Sequence, residues 1–250
     1  MDVESIYWDG ILKQGASITT GSMIFLIIVA LMYKKHWNRA LLIAFWYYLA
    51  TFLLNVLEKL ILWSCKQNLD VCVPILDYWG ITNTHWLSIF YLIKNYVFLG
   101  WFYMLIFPDK KIGKIIKWAS IFIATASVIN YCFIEGYQGI GVFNPAADMF
   151  FIVSLPLLYL WYSQRESLRI PLKKNPYFWI NMGILIPSLL GPFYYISGDH
   201  IYENDLKLFV ILNTIKNGFE ILGYVLVGIG FSKARYVRFV STENLSETVV

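Results

Sequence analysis

L-K-L-F-V-I-L-N-T-I-K-N-G-F-E-I-L-G-Y-V-L-V-G-I-G-F, Leu206–Phe231, is apolar enough to lie in lipid, yet it carries a lysine, two asparagines and a glutamate near its middle. Asn213, Lys216, Asn217 and Glu220 fall at i, i+3, i+4 and i+7, so a helix puts all four on one face. Ionisable side chains inside a membrane span are costly, and they turn toward a bundle interior or a wet cavity where partners exist. The run therefore predicts a spanning helix with one polar face, and that face requires other helices to meet it.

The rest of the chain supplies them. Of the 250 residues, 58% are hydrophobic and 14% charged, far from the balance of a soluble domain. Windows long enough to cross about 30 Å of hydrocarbon predict an all-α bundle of seven transmembrane helices at 17–34, 40–63, 86–107, 114–134, 146–163, 177–197 and 207–231. Basic residues resist translocation. Fourteen of the 20 fall in alternate connections and the tail: Lys34, Lys35 and Arg39; Lys110, Lys111, Lys114 and Lys117; Arg165, Arg169, Lys173 and Lys174; Lys233, Arg235 and Arg238. The other connections hold Lys13, Lys66 and Lys207 and most of the acids. This places the N-terminus outside and the C-terminus in the cytoplasm of a cell membrane, the inner membrane if the source is bacterial. The expected organisation is an outer segment, 1–16, a membrane domain, 17–231, and a basic then disordered tail, 232–250. The first residues lack the basic start of a cleaved signal, so the first span is expected to be an uncleaved anchor. Trp8, Trp63, Trp79, Trp86, Tyr194 and Tyr202 on one side, and Tyr33, Trp37, Trp118, Trp161 and Trp179 on the other, suit interfacial anchoring.

Two further helices carry polar stripes. The second has Thr51, Asn55, Glu58 and Lys59; the third has Ser88, Tyr91, Lys94 and Asn95. Because the second span runs outward while the third and seventh run inward, the stripes meet between the outer surface and the midplane. Glu58 and Glu220 are expected to balance Lys94 and Lys216, with Lys59 snorkelling at the edge. The expected site is an outward-facing cavity binding a small polar or charged ligand, or protons, through Asn55, Glu58, Lys94, Asn95, Asn213, Lys216, Asn217 and Glu220. Three functions fit it: a receptor or sensor, a small-solute transporter, or a structural subunit in which the polar residues only hold helices together. The inner halves, Ala40–Leu49, Tyr96–Phe107 and Ile221–Phe231, carry no charge. A pocket closed on that side favours binding and relay over transport.

Pro156 in the fifth span, and Pro187 and Pro192 in the sixth, mark kinks or hinges. Asn144 and Asp148 belong either to the cavity rim or to water. A Cys65–Cys72 disulfide suits an oxidising exterior; pairing with Cys132 and free thiols stay open. His36, His85 and His200 lie at membrane edges, and no zinc spacing, serine elbow or nucleotide loop occurs, so no metal, cofactor or catalytic set is expected. Besides the bilayer and a small ligand, the expected partner is a cytoplasmic or membrane signalling protein, and the charge distribution gives no reason to invoke nucleic acid.

Three seven-span families offer partial resemblances. L-N-T-I-K-N-G-F, Leu212–Phe219, is similar to the retinal-lysine segment of microbial rhodopsins, which would make Lys216 the Schiff-base lysine; Leu212 stands where that family has an acid. Ile93-Lys94-Asn95 and Ile215-Lys216-Asn217 repeat I-K-N at positions that resemble the two halves of SWEET sugar transporters, whose prolines in the first two helices are missing. The basic first hairpin and aromatic second helix look like those of bacterial seven-helix sensory modules. None of the three is close enough to assign a family.

Overall fold

The computed structural model describes residues 3–78, 85–136, 141–165, 171–189, 201 and 204–240, and among them every regular element is helical. The long helices are α1 (Val3–Met32), α2 (Arg39–Gln67), α4 (Ser88–Ile106), α5 (Lys110–Ile134), α6 (Phe143–Arg165) and α8 (Leu206–Ser232). All six contain windows long and apolar enough to cross a membrane. Two shorter helices complete the set: α3 (Leu69–Tyr78) and α7 (Pro176–Ser188). The sixth predicted span, 177–197, is thus helical over 13 residues, and its second half, with Pro192, lies outside the described residues. Helix α1 starts well before the expected span, at Val3, and α3 occupies part of what reads in sequence as a long loop.

Outward-facing side chains agree with an embedded protein. Phe25, Met32, Leu53, Leu60, Trp63, Ile115, Phe122 and Phe150 are all exposed, a surface that water would not tolerate at this extent. Inside, α1, α2, α4, α6, α7 and α8 pack in a closed circuit in that order, and α5 lies outside it against α4 and α6.

In lipid, the hydrophobic effect gives little net drive for helix association, so close packing and polar contacts must hold the circuit together. The α7–α8 seam shows the first. A β-carbon on Gly223 would lie 2.6 Å from the Gly183 carbonyl and 2.5 Å from Pro187 Cγ, and one on Gly230 would lie 2.9 Å from the Pro176 carbonyl. Only glycine permits this backbone contact. Gly228, by contrast, meets Leu26 and Val29 of α1 at ordinary distances.

One half of the bundle is sealed by aromatics. Trp37 stacks on Phe45 and Phe231 at centroid distances of 4.8 and 5.5 Å, and Phe107 meets Tyr159 and Tyr162 at 5.9 and 5.7 Å. Trp37 is therefore packed within the bundle, whereas Trp118 and Trp161 remain exposed as interfacial residues should be. The hydroxyls are satisfied by asparagines: Asn38 donates to Tyr177 at 2.7 Å, Tyr103 to Asn181 at 2.7 Å and Asn175 to Tyr159 at 3.2 Å. Contacts between Asn38 and Tyr177, Trp37 and Phe231, and Lys174 and Tyr236 bring three basic segments to this same end.

At the opposite end, Cys65 and Cys72 are bonded, tying α3 to the end of α2, and Cys132 is a free, exposed thiol. Glu135 closes the α5–α6 connection by accepting from the Val142 and Phe143 amides, both at 3.0 Å, and from Asn130 at 2.7 Å. Those bonds, the Phe143 amide foremost, hold its carboxyl below the usual glutamate range. Gly141, at φ +67°, lies against that carboxylate where a side chain would collide.

Two outcomes are expected. Gly223→Leu separates α7 from α8 and lowers stability by about 1–3 kcal/mol, read as a drop in thermal midpoint in detergent. A pKa depressed on folding stabilises above the unfolded glutamate value and loses that contribution as pH falls through the folded one. Glu135→Gln is accordingly less stable than wild type at neutral pH, and the gap narrows as pH falls below the ordinary glutamate value and through the depressed folded one.

Candidate functional site: a polar cluster between α2, α4, α6 and α8

Pairings between α2 and α4 fix the level of the stripes. Lys94 donates to Thr51 Oγ1 at 2.7 Å, while the Tyr91 hydroxyl lies 2.7 Å from Asn55 Oδ1 and 3.2 Å from Glu58 Oε2. Numbers rise along α2 as they fall along α4, which is antiparallel pairing, with Lys94 one turn before the Asn55 level expected for it. Thr51 also bonds its own helix, at the Tyr47 carbonyl, so its hydroxyl orients the lone pair toward the lysine.

Lys94 is buried, with 7% of its surface exposed, and its ammonium stands 4.4 Å above the Tyr47 ring and 5.7 Å from the Tyr91 ring. A desolvated cation over aromatic faces gains roughly 2 kcal/mol. The expected balance between Glu58 and Lys94 is not a direct one: Tyr91 takes Glu58, and Lys94 takes the threonine and the tyrosine faces. The carboxylate within electrostatic reach of Lys94 is instead Asp148 of α6.

Asp148 joins the cluster through Asn95, whose Nδ2 bonds both carboxylate oxygens at 3.0 and 2.9 Å. Asn95 opens a π turn, Asn95–Leu99, inside α4; such widened turns rotate the residues that follow and recur at functional sites. Sequence leaves Asp148 undecided between rim and water; the structure places it inside. The available signal was its i+4 spacing from Asn144, which puts both on one face of α6.

On α8, Lys216 and Glu220 form an ion pair at 2.8 Å within their own helix, each about a quarter exposed. Tyr47, under the Lys94 ammonium, packs edge to face on Tyr48 with ring centroids 4.9 Å apart. Tyr48 and Tyr224 of α8 meet edge to face at 6.2 Å.

Two expected members face elsewhere. Asn217 is buried against Gly15 of α1, where a β-carbon would lie 2.8 Å from its amide nitrogen, and Asn213 is half-buried one turn earlier. Asn55 also donates to Met23 Sδ at 3.4 Å, and Lys59, exposed, to Thr20 Oγ1 at 2.8 Å and the Ala16 carbonyl at 3.2 Å. Helix α1 is therefore a wall of the site, made of backbone, a thioether and hydroxyls that no search for charge would find. Of the hinge positions, Pro156 lies inside α6 and Pro187 inside α7, the latter packed on Gly223.

No family model, curated protein or solved structure matches the chain. The residues themselves therefore carry the functional reading. They set the Lys216–Glu220 pair of α8, packed tyrosines of α2 and the Lys94–Thr51 and Asn95–Asp148 contacts above an aromatic seal. A shallow groove of about 520 Å³ on α6, lined by Ser154, Leu157, Leu158 and Trp161, is mostly apolar and suits an acyl chain better than a polar solute.

The Tyr91 contacts yield a direct check. Tyr91→Phe removes the bonds to Asn55 and Glu58 and is expected to lower stability by about 0.5–2 kcal/mol. Lys94→Met, which replaces a buried cation by an apolar chain of similar length, is expected to leave the thermal midpoint equal or raised.

Proposed function

We propose that the protein is a receptor-like or sensor-like multi-pass membrane protein that binds a small polar or charged ligand in the α2–α4–α6–α8 cluster. The proposal includes a seven-span topology, N-terminus outside and C-terminus cytoplasmic, in a cell membrane, with Pro176–Ser188 as the first part of the sixth span. Basic segments collected at the aromatic end support that sidedness, since positive charge marks the cytoplasmic face.

The observation that carries the reading is the burial of Lys94 beside Asn95, Asp148 and a set of tyrosines, with Lys216 and Glu220 on the facing helix. Structural glue needs no cation at this depth, because neutral side chains hold helices together at lower cost. Packing of Phe102, Tyr103, Tyr177 and Phe231 below the cluster closes the way to the basic end, which suits recognition and relay to a cytoplasmic or membrane partner. A second reading, a small-solute transporter, is favoured by the two I-K-N tripeptides: Asn95 and Asn217 are both buried.

Thermal unfolding of the purified protein across sugars, amino acids, lipids and pH tests the reading. At least one solute is expected to raise the midpoint, and Lys216→Met and Glu220→Gln are expected to abolish that rise. A rise unchanged in both variants, or none from any solute, rejects the site. Accumulation of the stabilising solute in proteoliposomes decides for transport, and its absence for reception.

A further inference from the structure

Two buried carboxamide oxygens in the α4–α5–α6 region accept no hydrogen bond: Asn95 Oδ1 and Asn144 Oδ1. Their side chains are 7% and 5% exposed. The opposite ends of both amides are fixed. Asn95 Nδ2 is committed to Asp148, and Asn144 Nδ2 points to the Ser127 carbonyl at 3.4 Å. Exchanging the nitrogen and oxygen of either group would turn an oxygen toward a carboxylate or a carbonyl, so the unbonded atoms are oxygens. Leaving an acceptor buried without a donor is costly, and two such acceptors in one region require a common explanation.

Their neighbours are also oxygen donors. Asn144 and Asp148 occupy successive turns of one face of α6, and Asn95 carries its free oxygen on the same planar amide that grips Asp148. The Tyr96 hydroxyl lies 3.4 Å from Ser127 Oγ, a residue whose backbone carbonyl also faces Asn144 Nδ2. One carboxylate, two carboxamide oxygens and a tyrosine hydroxyl, carried by adjoining residues of α4 and α6, match the ligand chemistry of a small hard cation. Among the described residues no three His, Cys, Asp or Glu side chains gather, and a single carboxylate that Lys94 also faces leaves room for no more than one further positive charge.

We infer that Asp148, Asn95 and Asn144, with Tyr96, form a monovalent metal-cation site, of sodium type, between α4, α5 and α6. Lys94 is the positive group that faces it. Its ammonium is turned away, toward Thr51 and the Tyr47 ring on the α2 side, and makes no ion pair with Asp148. The ion therefore occupies the α6 side of a carboxylate whose other side is balanced by Lys94. The inferred site shares Asn95 and Asp148 with the proposed ligand cluster, but it rests on the two unbonded oxygens and not on Lys216 or Glu220.

Purified protein in NaCl, KCl or choline chloride at equal ionic strength provides the test. The thermal midpoint is expected to be higher in a metal-cation salt than in choline chloride by about 3–5 °C at tenfold the dissociation constant. Asp148→Asn and Asn144→Leu are expected to remove that difference, whereas Lys216→Met retains it. Equal midpoints in all three salts, or a difference that persists in Asp148→Asn, overturns the inference and makes a fixed water the partner of the two amides. If neither variant at Asp148 or Asn144 folds, calorimetric titration of wild type with NaCl against a choline background decides, and lack of a saturable heat overturns the site.

Discussion

A lysine buried in the apolar interior is the constraint around which the other contacts arrange themselves. Its charge cannot be left bare, so Thr51 must stand opposite Lys94, which fixes the register of α2 against α4. Tyr91 then meets Asn55 and Glu58 one turn away. With α2 and α4 locked, the Tyr47 ring lies under Lys94, the Tyr48 ring meets Tyr224 of α8, and Asn95 turns to α6.

Polar contacts and small residues divide the work between the two sides of the circuit. On the α2–α4–α6 side, side chains reach across ordinary helix spacing and bind by hydrogen bonds. On the α7–α8 side, Gly183, Gly223 and Gly230 bring backbones into contact. One side can rearrange by changing partners; the other can move only as a unit.

Spanning helices and polar stripes were legible because both rest on local pattern: hydropathy over about twenty residues and the 3.6-residue repeat. Counting depth in opposite directions set Asn55 and Glu58 level with Lys94, whereas the lysine meets Thr51, one turn before Asn55. Partner choice did not follow. Nothing in the spacing of Glu58 and Lys94 says that a tyrosine would intervene, or that Asp148, near a helix start, would turn inward. Contacts made by α1 were invisible for a different reason, since Met23, Gly15 and the Ala16 carbonyl carry no charge to notice. Of the apolar run 177–197, the described part is helical through Ser188 with Pro187 inside the helix, and the remainder lies outside the described residues.

The widened turn at Asn95–Leu99 sets how α4 can vary. It amounts to one residue accommodated within an otherwise regular helix, which rephases everything after it by about 100°. Asn95 ahead of it looks to α6, and Gly100 behind it touches Ser120 of α5. Removing a single residue from this stretch would restore an ordinary helix while swinging Phe102 and Tyr103 off their partners in the aromatic seal. Length at this point is therefore as tightly specified as identity, and indels here would disconnect the charged half of the helix from the half that closes the bundle.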